Sequence, residues 1–195
     1  MTGTLAVFGY ASLVSSASAA ETLGRDVELV GPVRLRGWRR RWSLGRDNFR
    51  AEKTFGRADG GEPPAFCLGL NVERAGEGGE APNGALIPLT ERELDRLDVR
   101  EIRYDRVDVT EVLAPLPGGI DRVVTYTAKP ERFVAAPPPD SVVLAGYLQA
   151  VEAAFGELGP GQLDAFRRTT GPPPAPVVEG VLIRDEIPVG NPRGW

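Results

Sequence analysis

The carboxylate of Glu101 occupies a position in the sequence that suits acid–base chemistry. If the helix that begins near residue 91 continues, Leu94, Leu97 and Glu101 lie at i, i+3 and i+7 on one apolar face. Burial on such a face raises the pKa of a carboxyl group, which suits a residue that takes up and returns a proton near neutral pH. The alternative is an ordinary helix-end ion pair with a neighbouring arginine, Arg100, Arg103 or Arg106.

The segment Phe8-Gly9-Tyr10-Ala11-Ser12-Leu13 has the pattern of an anion-binding loop. A strand that stops at glycine and turns through small residues exposes consecutive backbone N–H groups. If a helix follows at Ser15, its free N-terminal amides extend the same array. Such arrays bind carboxylates and developing oxyanions. The alternative is a tight strand-to-helix turn without a ligand, because the motif by itself is weak.

Basic residues alternate with tryptophan in the segment 34–42, Arg-Leu-Arg-Gly-Trp-Arg-Arg-Arg-Trp. Three interpretations are open. The segment is a strand with a solvated arginine face and a packed tryptophan face, or it binds the carboxylate of a small substrate, or it holds RNA. The mild net charge of −4 argues against a nucleic-acid partner.

Composition limits the remaining chemistry of the 195-residue chain. It contains no histidine, which excludes imidazole bases and histidine-ligated zinc. Cys67 is the only cysteine, so we expect a buried structural thiol. Tyr104 and Tyr126 lie near predicted strand ends, where they can either donate hydrogen bonds to a ligand or pack in the core. Any catalysis must then use carboxylates, Lys, Tyr, hydroxyls or backbone amides.

Residues 4–20 imitate a secretory signal, but no Lys or Arg precedes them. No stretch is long enough to span a membrane. We therefore expect a cytoplasmic protein with no membrane partner.

The helices and strands expected from the sequence, which must position these residues, indicate one α+β domain over 1–195 with a mixed, barrel-like sheet. Residues 171–195 form a proline-rich C-terminal extension. The strands are expected at 5–8, 27–42 with a bulge at Gly37, 65–72, 85–89, 105–113 and 122–128. The helices are expected at 15–23, from the capping box of Thr90 and Glu93, at 141–155 and at 159–170. Residues 48–64 are expected to be a mobile loop.

Several of these segments together resemble the γ-glutamylcyclotransferase-like family. Phe8-Gly9-Tyr10-Ala11-Ser12-Leu13 is similar to its N-terminal Tyr-Gly-Ser motif, and Leu35-Arg36-Gly37-Trp38-Arg39-Arg40-Arg41-Trp42 is similar to the following strand. Asn83-Gly84-Ala85-Leu86-Ile87-Pro88-Leu89 and Arg100-Glu101-x-x-Tyr104-x-x-Val107-x-Val109 resemble the later block. The order and spacing match over residues 4 to 128.

The resemblance implies a small mixed β-barrel flanked by helices and a cofactor-free enzyme. It implies cyclisation of a small γ-glutamyl substrate to 5-oxoproline with release of an amine, by a monomer or homodimer. Glu101 then matches the catalytic acid/base. Tyr10, Ala11, Ser12 and Leu13 match the substrate loop, and Tyr104 and Tyr126 match pocket tyrosines. The alternative is a non-catalytic binding module with the same fold.

Two details of the resemblance concern the substrate. Ala11 stands where the family has glycine, and it costs about 1 kcal/mol if the loop requires φ > 0 there. Arg39 or Arg41 near the pocket would favour a substrate with a second carboxylate, such as glutathione.

Overall fold

The structure, a computed structural model, describes residues 4–76, 78–113 and 116–192. The strands are, in chain order, β1 (Thr4–Gly9), β2 (Val30–Arg34), β3 (Trp38–Asp47), β4 (Lys53–Arg57), β5 (Phe66–Arg74), β6 (Asn83–Leu89), β7 (Tyr104–Asp108), β8 (Ile120–Ala128), β9 (Ser141–Leu144), β10 (Val177–Val178) and β11 (Gly180–Asp185). The helices are α1 (Ser16–Leu23), α2 (Glu91–Arg100), α3 (Thr110–Leu113), α4 (Ala145–Glu157) and α5 (Gln162–Thr170).

The strands form three sheets, and the predicted α+β class is confirmed. The first sheet has the order β2-β6-β1-β8-β7, the second β10-β9-β5-β3, and the third pairs β11 with β4. In the first sheet β1 is antiparallel to β6 and parallel to β8. No ladder joins the outer strands of these sheets within the described residues, so the sheets do not close into a continuous barrel.

The central strand β1 divides its side chains between two hydrophobic clusters, as the alternation of a buried strand requires. Ala6 and Phe8 belong to the larger cluster, which includes Trp42 and Phe155. Leu5 and Val7 belong to the cluster beneath α1 and α2. With both faces of β1 buried, the loop that follows Gly9 starts from a rigid support.

Local capping signals were predicted correctly. Ser15 accepts a hydrogen bond from the Ser18 N–H at the start of α1, and Gly24 ends that helix with φ 72°. At α2 the Thr90 side chain accepts from the Glu93 N–H, and the Glu93 carboxylate accepts from the Thr90 N–H.

The predicted bulge at Gly37 is wrong. Gly37 has φ 74° and lies in a turn that separates β2 from β3, two strands of different sheets. The expected clustering still holds, because Leu35, Trp38 and Trp42 are all buried in the larger core cluster.

Three other predicted segments differ from the structure. The segment 48–64 contains β4, and the buried Asn48 fixes it through hydrogen bonds to the Phe55 backbone and the Pro64 carbonyl. The segment 105–113 ends in the short helix α3 rather than continuing as a strand. The segment 141–155 begins as β9 before α4, because short apolar runs rich in valine fit a strand as well as a helix.

Residues 171–195 contribute two strands to the fold. β10 pairs with β9, and β11 pairs with β4. The apolar part of this extension is therefore integrated with the sheets. Within the described residues, no helix has the length and apolar character needed to cross a membrane.

Candidate active site

A cavity of about 170 Å³ lies at the end of β1. One wall is the loop 8–13 that follows this strand. A second wall consists of Arg100, Glu101, Arg103 and Tyr104, between the end of α2 and the start of β7, together with Tyr126 from β8. Side chains from β3, β4, β5 and the start of α4 complete the lining with mostly apolar groups. The cavity therefore collects residues from distant parts of the chain.

Glu101 lies in the cavity wall at the C-terminal end of α2. The helix ends at Arg100, and Glu101 is its capping residue, with its N–H bonded to the Leu97 carbonyl at 2.7 Å. The Glu101 side chain is 15% exposed. Burial raises the pKa of its carboxyl group, while the nearby charges of Arg100 and Arg103 oppose that rise.

The predicted arginine pairing of Glu101 is also present. Arg100 Nε lies 3.2 Å from Glu101 Oε1. The buried Arg100 guanidinium also donates to the Ser18 carbonyl at 2.8 Å and to Ser12 Oγ at 3.3 Å. One arginine thus ties the Glu101 carboxylate, helix α1 and the loop after β1 together. The ion pair and the cavity position are two parts of the same arrangement.

The loop after β1 lines the cavity and contains backbone N–H groups that have no acceptor among the described residues. A Cβ at Gly9 would lie 3.1 Å from Leu13, so the tight turn is suited to glycine at that position. The Ala11 carbonyl accepts from Val14 N–H at 3.0 Å. No described residue accepts a hydrogen bond from the N–H groups of Ala11, Ser12 or Leu13. These amides are available to an anionic group of a ligand.

Ala11 has a negative φ. Its φ is −139° and its ψ is −127°, so the position does not require the left-handed region that favours glycine. The strain considered for a positive φ at Ala11 does not arise.

Three tyrosines support the wall through hydrogen bonds to the protein. The hydroxyls of Tyr10 and Tyr104 donate to the carbonyls of Tyr126 and Leu70, each at 2.8 Å. The Tyr126 hydroxyl donates to Asp98 Oδ1 at 2.8 Å. Burial raises the pKa of all three phenols, so they stay protonated at neutral pH. Tyr104 and Tyr126 line the cavity, and their hydroxyls already donate hydrogen bonds to protein acceptors.

Cys67 also lines the cavity, as a buried free thiol. Burial raises the pKa of the thiol, and its Sγ lies 3.7 Å from Asn48 Oδ1. The expectation of a buried cysteine is confirmed, and a raised pKa disfavours the reactive thiolate.

The structure places Arg39 and Arg41 outside the cavity. Both pair with Glu73, at 3.0 and 3.6 Å, and both guanidinium groups are substantially exposed. The tryptophans of the same strand, Trp38 and Trp42, are only 4% and 6% exposed. The interpretation with packed tryptophans is therefore the correct one, and the buried rings offer no surface on which bases could stack.

Sequence reasoning missed two polar residues of the cavity. Arg46 lies near the end of β3, with its guanidinium carbon 5.1 Å from the centre of the Phe55 ring, and burial lowers its pKa. Tyr147, in the first turn of α4, packs edge-on against Trp42, and burial raises its pKa to about 12. Nothing in the pattern of the predicted helix at 141–155 marked Tyr147 as a cavity residue. No local pattern marked Arg46.

Comparison with known proteins concerns the fold. No protein-family model and no curated protein matches the sequence. A solved γ-glutamyl cyclotransferase matches with a TM-score of 0.57 and 15% identity, over 90% of this chain and 94% of that one. The chain has the γ-glutamyl cyclotransferase fold.

Two further structures share the γ-glutamyl cyclotransferase fold. YkqA from Bacillus subtilis matches with a TM-score of 0.53 and 18% identity, over 85% of this chain and 53% of that one. An uncharacterized protein from Homo sapiens matches with a TM-score of 0.56 and 14% identity, over 91% and 95% of the two chains. The fold that the sequence resemblance implied is confirmed. In this chain the loop 8–13 and Glu101 line one cavity.

Proposed function

We propose that this protein is a cyclotransferase that converts a γ-glutamyl amide to 5-oxoproline and releases an amine. The observation that carries the proposal is the shared cavity of the Glu101 carboxylate and the free N–H groups of Ala11, Ser12 and Leu13. The γ-glutamyl cyclotransferase fold of the chain supports this assignment. The chemistry requires no histidine, which agrees with the composition.

In the first step, Glu101 accepts a proton from the α-ammonium group of the substrate. The neutral nitrogen attacks the γ-carbonyl carbon of the same molecule, and a carbon–nitrogen bond closes a five-membered ring. Because the reaction is intramolecular, holding the chain in a curled conformation supplies much of the rate acceleration. A raised pKa makes Glu101 a stronger base than an exposed glutamate.

In the second step, the original amide bond breaks and Glu101 returns its proton to the departing nitrogen. The ring nitrogen gives up one further proton, which reaches the released amine through water, so that the protons balance. The N–H groups of residues 11–13 stabilise the negative charge on the carbonyl oxygen, or hold the α-carboxylate. Arg100, which bonds both Glu101 and Ser12, keeps the base and the loop in a fixed relation.

The test is 5-oxoproline release from a panel of γ-glutamyl amides. We expect Glu101→Gln to lose about 10²- to 10⁴-fold in kcat/KM, the usual contribution of a general acid–base. The matched control is Glu157→Gln, which changes an exposed glutamate at the end of α4. Thermal unfolding of each variant checks that the fold is intact.

Full activity of Glu101→Gln would refute the assignment of the base. The non-catalytic alternative predicts a different result, in which wild-type protein binds γ-glutamyl compounds but releases no 5-oxoproline from any of them.

A further inference from the structure

A second cavity of about 350 Å³ adjoins the candidate active site. Phe55, Leu144 and Tyr147 line both cavities, so the two spaces have a common boundary. A ligand held beside Glu101 therefore meets these three side chains at the boundary between the two cavities. We call the second space the outer compartment.

The outer compartment is built from the C-terminal strand and the start of α4. β11 contributes Gly180 and Leu182, and α4 contributes Gly146. A Cβ at Gly180 would lie 2.8 Å from Leu144 Cδ2, so glycine allows β11 to approach the last residue of β9 closely. The wall of the outer compartment therefore includes residues of the C-terminal segment, which lies beyond the region of resemblance that ends at residue 128.

The lining of the outer compartment is mainly apolar. Phe55, Leu144, Tyr147 and Leu182 provide rings and methyl groups. The one charged residue in this lining, Lys53, forms an ion pair with Asp185 at 3.5 Å. A side chain with methylene or aromatic groups gains free energy by leaving water for such a surface.

The sizes of the two cavities support occupation by a single ligand. Small-molecule sites usually measure roughly 300–1,000 Å³. The cavity beside Glu101, at about 170 Å³, is smaller than that range, whereas the outer compartment adds about 350 Å³.

We infer that the outer compartment binds an apolar group on the leaving amine, so that the preferred substrates are γ-glutamyl amides of bulky apolar amines or amino acids. This inference rests on the proposed cyclotransferase function. The γ-glutamyl part lies beside Glu101 and the residue 11–13 amides. The apolar part of the leaving amine packs against Phe55, Leu144 and Leu182.

The test compares four γ-glutamyl amides, those of glycine, phenylalanine, methylamine and phenethylamine. A phenyl ring should raise kcat/KM by at least about tenfold over the small counterpart, in line with the discrimination of apolar pockets. The preference should be similar in the pair with a carboxylate and in the pair without one.

Gly146→Leu tests whether the outer compartment causes this preference. Gly146 lines the compartment, and a Cβ there would have open space around it, so the position accommodates a leucine. We expect the phenyl preference to fall to less than about threefold, well below the discrimination of the open pocket. Leu182→Ala, which removes part of the apolar wall, should lower the preference in the same direction.

Gly156→Leu is the matched control, because Gly156 lies on the same helix, is exposed and lines neither cavity. This variant should keep the wild-type preference. Two results would overturn the inference, namely an unchanged phenyl preference in both folded compartment variants, or a preference that follows the carboxylate rather than the ring.

Failure of the proposed function gives a separate result. If no amide releases 5-oxoproline, the cyclotransferase assignment is wrong, and calorimetric titration of phenethylamine and methylamine then tests the outer compartment alone. Tighter binding of phenethylamine that Gly146→Leu weakens would support the compartment. Equal binding of the two amines would refute it.

Discussion

Replacing Arg40 by methionine should destabilise the protein strongly. Arg40 is 1% exposed and donates hydrogen bonds to the carbonyls of Tyr10 and Asn83 at 2.9 and 2.8 Å, and to Asn83 Oδ1 at 3.0 Å. It also donates to Thr170 Oγ1 at 2.7 Å and Thr169 Oγ1 at 2.9 Å. Its surroundings include no carboxylate partner among the described residues. Neutral acceptors therefore hold this buried charge.

Two aromatic rings complete the environment of Arg40. Its guanidinium carbon lies 4.9 Å from the centre of the Phe155 ring and 4.5 Å from that of Phe166. Burial lowers the pKa of the guanidinium to about 9, which still leaves it charged at neutral pH. Cation–π contacts in a desolvated site contribute about 2 kcal/mol.

The size of the effect follows from what methionine would leave behind. The Tyr10 carbonyl and the two Asn83 oxygens would lose a donor inside the protein, and each unsatisfied group costs about 1–3 kcal/mol. The cation–π attraction would also be lost. Removing the charge offsets part of this, because burying it is unfavourable. We expect a net loss of about 3–5 kcal/mol in the free energy of unfolding, typical of breaking a buried charged network.

Urea denaturation followed by circular dichroism measures this loss. Arg39→Met is the matched control on the same strand, because Arg39 is half exposed and pairs with Glu73. It should change stability by less than about 1 kcal/mol. A loss of less than about 1 kcal/mol for Arg40→Met would refute the reasoning, because the network would then contribute no more than a surface ion pair.

Two further predictions concern the strand and helix beside the site. A Cβ at Gly84 would lie 2.1 Å from the Gly9 carbonyl oxygen, so Gly84→Ala should reduce the free energy of unfolding by more than about 2 kcal/mol. The control Gly76→Ala, at an open and exposed position, should be nearly neutral. Equal denaturation midpoints for the two variants would contradict this expectation. Hydrogen bonds from Arg25 and Thr90 lower the pKa of Glu93 to about 2. The resulting stability is present above the unfolded-state pKa of about 4.3 and is lost as pH falls towards 2. Between pH 5 and 2, the unfolding free energy of the wild type should therefore fall by about 1–2 kcal/mol more than that of Glu93→Gln. This figure allows for the half-exposed Arg25, and acid titration of the unfolding free energy measures it. Parallel curves would contradict that expectation.

Features governed by neighbouring residues were predicted well. The capping box at Thr90, the Gly24 helix end and the buried first strand all depend on hydrogen bonds or periodicity within a few residues. The errors occurred where local patterns are ambiguous. The Ser-Val-Val-Leu run at 141–144 fits a strand or a helix, and pairing with β5 made it a strand.

The arginines near the candidate site also show where prediction from local sequence patterns fails. Arg39, Arg40 and Arg41 are consecutive, yet Arg40 is buried in the core while its neighbours pair with Glu73 at the surface. Strand alternation predicts that neighbours face opposite sides, but not which side is buried. The sequence suggested Arg39 and Arg41 for the pocket, whereas the structure places Arg46, Arg100 and Arg103 there.

The sequence by itself determined the α+β class, the loop at 8–13 and the carboxylate at 101, because these depend on residue type and on spacing along the chain. Only the tertiary structure decided that Glu101, the loop 8–13 and Tyr147 line one cavity and that β11 lines the outer compartment. Those contacts join segments that are far apart in the chain. They arise from strand pairing and core packing, and short-range patterns do not encode them.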